Sequence, residues 1–152
     1  MNDIASKAPW HLWVVGVVSL LWNGFGGYDY TMSQFRNPAY LEATMGPMGM
    51  SVEESIAFLD SFPVWASVLW ALGVWGSVIG SLLLLARLRH AVTAFFVSLI
   101  GAALSFAYQA TIDLPPQMEG NTMARVMPLV IIAAVALQLW YARRMTAAGV
   151  LR

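Results

Sequence analysis

Apolar residues fill four long stretches of this chain, and polar residues collect between them. The first, Trp10 to Met32, reads WHLWVVGVVSLLWNGFGGYDYTM, with Asn23 inside it and Asp29 near its end. Val64 to Ala86 and Ala91 to Ala110 carry no Asp, Glu, Lys or Arg, and Val126 to Ala142 holds one strongly polar residue, Gln138. About twenty residues at a rise of about 1.5 Å each match a hydrocarbon core roughly 30 Å thick. The pattern predicts an all-α membrane protein, a four-transmembrane-helix antiparallel bundle forming one domain over 1–152. Its spans are expected at about 10–32, 63–86, 91–112 and 125–143.

Helical spacing sorts each stretch into faces. In the first, Gly16, Ser19, Asn23, Gly27, Tyr30 and Gln34 share one face, while Val14, Val17, Val18, Leu21 and Phe25 cover others. A lipid-facing Asn is costly, so the polar stripe is expected to face other helices. The second stretch carries Gly73, Gly76, Ser77, Gly80 and Ser81, ridges that let backbones approach closely, within the chain or between chains. Ser98, Ala102, Ser105 and Gln109 share a face of the third, and Ala134, Gln138 and Tyr141 of the fourth. Pro63 starts the second stretch and Pro128 is expected in the first turn of the fourth.

Between the stretches, Arg36-Asn37-Pro38 signals a turn. The run from Met45 to Met50 is flexible but apolar and is expected to rest on the membrane surface or the helices. Ser51 and Glu54 form a capping box. The short helix behind it, with Val52, Ile56 and Leu59 on one side, is expected to lie at the interface in the first outer loop. Arg87-Leu88-Arg89-His90 leaves room only for an antiparallel return. The two halves share a pattern of helix, proline-containing loop and helix ending in Ala-Arg, at Ala86-Arg87 and Ala142-Arg143.

Composition sharpens this picture. The chain is 59% hydrophobic and 11% charged, against about 25% charged in soluble domains. It has no cysteine, which excludes disulfides, thiolate chemistry and Cys-based metal sites. With only His11 and His90 besides, no metal or other cofactor is expected. His11, between Trp10 and Trp13, reads as an interfacial side chain rather than a pigment or haem ligand. The N-terminus lacks the pattern of a cleavable signal.

The basic residues give an orientation. Lys7, Arg87, Arg89, Arg143, Arg144 and Arg152 fall on one side, against Arg36 and Arg125 on the other. Six against two places both termini in the cytoplasm. Seven of eight acids (Asp29, Glu42, Glu53, Glu54, Asp60, Asp113 and Glu119) lie on the opposite side.

No nucleophile set, phosphate loop or metal spacing appears, so no enzyme is expected. The candidate polar and packing positions are Asn23, Gly27, Gly76, Gly80, Ser105, Gln109 and Gln138. Asn23 and Gln138 are expected at different depths, each in its own interhelical hydrogen bond. Asp29 and Asp113, near the outer helix ends, are candidates for an ion-linked role. Asp29 is expected to be hydrated or paired with Arg36 or Arg125. Four helices at the usual 8–10 Å spacing should leave no continuous aqueous path, with Trp70, Trp75, Phe95 and Phe96 closing gaps.

WHLW at Trp10, LWNGFG at Leu21, YDYTM at Tyr28, RNPAY at Arg36, FPVW at Phe62, ALGVWGSVIGSLLLL at Ala71 and YARRM at Tyr141 resemble a family of small four-span proteobacterial membrane proteins, often labelled "sugar transporter". The resemblance runs over nearly the whole chain and implies a bacterial inner membrane. It supplies no catalytic or binding residues. The expected partners are the lipid bilayer and other membrane subunits or further copies of the chain, with no nucleic acid. The expected role is a non-catalytic accessory subunit of a larger inner-membrane complex. The alternative is a small-solute, sugar-like transporter acting as an oligomer.

Overall fold

The computed structural model describes residues 8–152, and within them it is helical, without strands. Four long helices, α1 (Trp10–Gln34), α4 (Val64–Leu85), α5 (His90–Gln109) and α7 (Thr122–Ala147), carry the chain back and forth. Short helices α2 (Pro38–Met45) and α3 (Val52–Asp60) fill the first long connection, and α6 (Pro116–Glu119) fills the second. The α4–α5 turn marks one end of the molecule, the turn end. The α2–α3 connection marks the other, the loop end.

Three of these helices, α4, α5 and α7, are long and apolar enough to cross a membrane. α1 is as long as these but more polar, because His11, Asn23, Asp29 and Ser33 interrupt its apolar residues. The predicted faces of α1 sort as expected. Gly16, Ser19, Asn23 and Gly27 are buried, while Val14, Val17, Val18, Leu21 and Phe25 are exposed.

The helices pack in the order α1, α4, α5, α7, each against the next. Directions alternate: Gly16 faces Leu85 and Gly27 faces Val78, so α1 and α4 run antiparallel. The α4–α5 contact is the closest. A Cβ placed on Gly101 would lie 2.7 Å from the Gly73 nitrogen and 2.8 Å from the Leu69 oxygen, so the backbones touch there. Ser98 Oγ donates to the Gly73 carbonyl across the same contact at 2.5 Å. Farther toward the turn end, a Cβ on Gly80 would meet the Phe95 ring at 2.8 Å. The Gly76/Gly80 ridge is thus used within the chain.

The apolar core sits at the turn end, around Leu12, Leu84, Phe95, Leu139 and Ala142. The C-terminal residues complete it. Gly149, at φ 69°, turns the chain out of α7, and Val150 and Leu151 enter the core. Arg89 N–H donates to the Arg152 carbonyl at 2.7 Å and Arg152 N–H to the Arg87 carbonyl at 2.9 Å, tying this tail to the α4–α5 turn.

Several boundaries differ from the sequence reading. The turn signal at Asn37-Pro38 starts a helix: Asn37 Oδ1 accepts from Tyr40 N–H and Pro38 takes the first helical position, where its missing donor costs nothing. A 3₁₀ turn, Gly46–Met48, follows. The capping box of α3 forms as expected, with Ser51 N–H donating to Glu54 at 2.7 Å and Glu54 N–H to Ser51 Oγ at 3.1 Å. α7 begins at Thr122, capped by Asn121, so Pro128 lies in its second turn, inside the helix. The same helix ends at Ala147, past Arg143 and Arg144.

Candidate functional site

α1 and α7 make no extended contact; side chains alone bridge them. The Asn23 amide nitrogen stands 3.1 Å from Gln138 Oε1, 2.9 Å from Ser81 Oγ and 3.1 Å from the Ser77 carbonyl. Two amide protons serve three acceptors, so at least one contact is shared. Toward the turn end, His11 Nδ1 lies 2.5 Å from the Tyr141 hydroxyl. Asn23 and Gln138 therefore share one buried site, contrary to the expectation of different depths. α7 runs four residues past Arg143, about 6 Å at the helical rise, so Gln138 lies deeper than its distance to that arginine suggests.

On the loop-end side of this network, the seam between α1 and α7 opens into a cavity of about 330 Å³. Trp22, Asn23, Gly26 and Asp29 of α1 line it, with Trp70, Gly73 and Ser77 of α4, Ala102, Ser105 and Phe106 of α5, and Met127, Ile131 and Val135 of α7. The interior there is not filled by side chains, as the sequence led us to expect. Of the large residues expected to close gaps, Phe95 is fully buried in the turn-end core, whereas Trp75 and Phe96 turn outward. Trp70 forms part of the cavity wall and packs T-shaped against Tyr30, with ring centroids 5.0 Å apart.

Among the described residues, Asp29 is the one charged residue lining the cavity. Its Oδ1 accepts from the Tyr40 hydroxyl at 2.6 Å, and Tyr40 in turn packs edge-on against Tyr28. Burial first, and then the neighbouring Asp29 carboxylate, push the Tyr40 phenol above its ordinary pKa of 10.0. The arginines considered as partners of Asp29 are engaged elsewhere. Arg36 reaches Asp60 at 2.8 Å, joining the end of α1 to the end of α3, and Arg125 donates to the Glu119 carbonyl. Arg36 sits at φ 51° just past α1, and its side chain also donates to the Ser33 carbonyl, at 2.7 Å.

The other candidate positions separate. Ser105 lines the cavity, and Gln109 lies one turn beyond it, its amide 3.5 Å from Ser105 Oγ. Gly27 packs beside Val78 and Trp75. Asp113 is exposed and takes no part in the cavity. His90 is exposed on the outer side of the α4–α5 pair. Among the described residues no group of three or more His, Asp or Glu side chains is placed to hold a metal. The cavity escaped the sequence reading because it is defined by missing bulk. Its one sequence signal is the set of small residues on three helices, Gly26, Gly73, Ala102 and Ser105, that line it together, with open space beside Gly26.

No protein-family model, curated protein or solved structure matches the chain.

Proposed function

We propose that this chain is a four-span protein of a bacterial inner membrane, with both termini in the cytoplasm, serving as a non-catalytic accessory subunit of a larger assembly. In this reading α1 is the first span despite its polar stripe. Its 25 residues reach about 37 Å, enough to cross, and Asn23 is satisfied by α4 and α7 rather than left in lipid. The turn end then lies inside, with Arg87, Arg89, Arg143, Arg144 and Arg152. α3 lies at the outer interface, its Val52, Ile56 and Leu59 turned inward and Glu53, Glu54 and Asp60 toward water.

One observation carries the functional part. The cavity is blind, because the Asn23–Gln138 network and the Leu12–Leu84–Phe95 core lie between it and the turn end. A single copy thus offers a pocket and an apolar flank, not a path. The large exposed residues Leu21, Leu129, Leu137 and Trp140 lie on α1 and α7, the two helices that end the packing order and are free for lipid or for other helices. The test is purification of the full chain in a mild detergent. A stoichiometric larger partner supports the reading; a chain that purifies alone at every stage opposes it.

A second reading, a small-solute transporter acting as an oligomer, is favoured by the cavity itself, since transporters place their sites near mid-bilayer between helices. Saturable solute uptake into liposomes by the purified chain would put this reading first.

A further inference from the structure

We infer that the cavity between α1 and α7 binds an organic cation, a substituted ammonium carried on a small apolar or aromatic body. The inference goes beyond the accessory role and does not require it. Four observations point to this ligand. First, the volume of about 330 Å³ falls in the range of small-molecule sites, about 300–1,000 Å³, and equals roughly ten waters at about 30 Å³ each. Second, the wall is aromatic: Trp22, Phe25, Trp70 and Phe106 all line it, and the faces of such rings attract cations. The T-shaped contact of Tyr30 with Trp70, ring centroids 5.0 Å apart, steadies that indole.

Third, among the described residues Asp29 is the only charge in the lining, and no cationic side chain of those residues is bound to it. Arg36 and Arg125 point their guanidinium groups at Asp60 and at the Glu119 carbonyl. The Tyr40 hydroxyl occupies Oδ1, and Oδ2 has no partner among the described residues. A carboxylate beside an apolar cavity favours a positive guest over a neutral or negative one. Fourth, Asn23 is 5% exposed and lines the cavity floor. Its nitrogen serves the interhelical network, while its Oδ1 receives no donor from the described residues. The two acceptors, six residues apart on α1, stand about 9 Å apart along the axis. Both are oxygen acceptors and neither is matched by a positive group of the described residues, so the polar atoms of the lining favour a positive guest among the rings.

Benzyltrimethylammonium and its uncharged carbon isostere neopentylbenzene separate charge from shape. Binding is measured by calorimetry and tryptophan fluorescence on the full chain in lipid nanodiscs. The cation is expected to bind saturably and about tenfold or more tighter than the isostere, as a close charge pair provides. Asp29→Asn is expected to remove that preference while leaving the isostere's affinity unchanged. Ile131→Trp, which fills the cavity, is expected to abolish binding of both. Should Asp29→Asn fail to fold, Tyr40→Phe serves instead: it removes the hydroxyl from Oδ1, keeps the carboxylate, and is expected to keep or strengthen cation binding. Repeating the titration with phosphatidylethanolamine added to phosphatidylglycerol distinguishes a lipid headgroup from a free amine. Competition by phosphatidylethanolamine assigns the site to the headgroup, its absence assigns the site to a free amine, and both support the inference. Absence of saturable cation binding, equal affinity for the isostere, or undiminished cation preference in folded Asp29→Asn overturns it.

Discussion

Asn23 of α1 and Gln138 of α7, 115 residues apart in sequence, meet at 3.1 Å in the buried middle of the molecule. Across a seam where the two backbones stay apart, this amide pair and the His11–Tyr141 contact are the polar bridges. Replacing Asn23 by Leu deprives Gln138 of a buried donor. The expected loss is about 2 kcal/mol: a membrane hydrogen bond averages about 0.6 kcal/mol, and the orphaned acceptor adds about 1–3 kcal/mol where it cannot rehydrate. Gln138→Leu should cost a similar amount, and the double variant less than the sum of the two. Reversible unfolding of all three variants in detergent measures the coupling. Strict additivity would show that the pair does not act as a unit.

The glycines make opposite predictions according to what stands beside them. Gly101 lies against the backbone of α4, where neither Gly73 nor Leu69 can yield by a rotamer change. Gly101→Val should force α4 and α5 apart and destabilise the fold by about 3 kcal/mol or more, the upper range for overpacking. Gly24, on α1, has nothing within 4 Å of an added Cβ. Gly24→Ala should leave stability unchanged or raise it by up to about 1 kcal/mol through helix propensity. Thermal aggregation midpoints of the two variants against the native chain decide the point. A stable Gly101→Val would mean that the α4–α5 contact is looser than described.

What was readable in the chain and what was not follows from the kind of signal each feature leaves. The long helices announce themselves by uncharged runs, and the Ser51–Glu54 cap by spacing alone. The buried face of α1 is likewise written in the alternation of Gly16, Ser19, Asn23 and Gly27 with the valines. Tertiary meetings leave no such trace. Asn23 and Gln138 looked separate because the fourth span was expected to end at 143, whereas α7 runs on to Ala147. Asp29 was matched to arginines on charge, yet a tyrosine one connection away reaches it first. α2 was hidden because Asn-Pro marks both turns and helix starts, and only the fold chooses between them.

The tail after α7 supplies another expectation. Leu151 is 3% exposed and joins the turn-end core, next to Arg152, whose backbone N–H and carbonyl are both hydrogen-bonded to the α4–α5 turn. Leu151→Ala should lower stability by about 2–3 kcal/mol, the cost of a buried leucine whose site cannot fully collapse. Val150→Asp should cost more, since it buries a charge beside the same cluster. Protease accessibility at the turn end, followed with temperature, reads both. Native-like resistance in Val150→Asp would show that the tail is not part of the cooperative core.

Tyr40 provides a pH test outside the spans. Burial and Asp29 hold its phenol protonated above the ordinary value of 10.0. The neutral form is the one the fold favours, so the contribution is fully present below pH 10 and is lost as pH rises beyond it. The native chain is therefore expected to lose stability above about pH 10 more steeply than Tyr40→Phe, which has no proton to lose. Unfolding midpoints collected across that window compare the two. Parallel curves would show that the Tyr40–Asp29 contact does not contribute to stability.

Topology is the remaining expectation, and it bears on the proposed function as a whole. The five arginines at the turn end set the inner side in this reading, and the acids of α3 set the outer. The chain has no cysteine, so single replacements report cleanly. Glu53 is exposed on α3 and Leu88 is 41% exposed in the α4–α5 turn, so both accept a thiol without disturbing a core. On intact cells a membrane-impermeant maleimide is expected to label Glu53→Cys and to spare Leu88→Cys until the membrane is broken. The reverse pattern would invert the molecule and put the loop end on the cytoplasmic side. Labelling of both sites from outside would mean that α4 does not cross. A third cysteine at Arg143, exposed near the end of α7, then tests whether α7 returns to the inner side, and only one at Ala8 tests whether α1 crosses as well. With four spans, Arg143→Cys behaves like Leu88→Cys, and a further single replacement of Ala8, just ahead of α1, does the same. If α1 instead lies along the surface and only α4, α5 and α7 cross, Ala8→Cys labels from outside while Arg143→Cys stays protected.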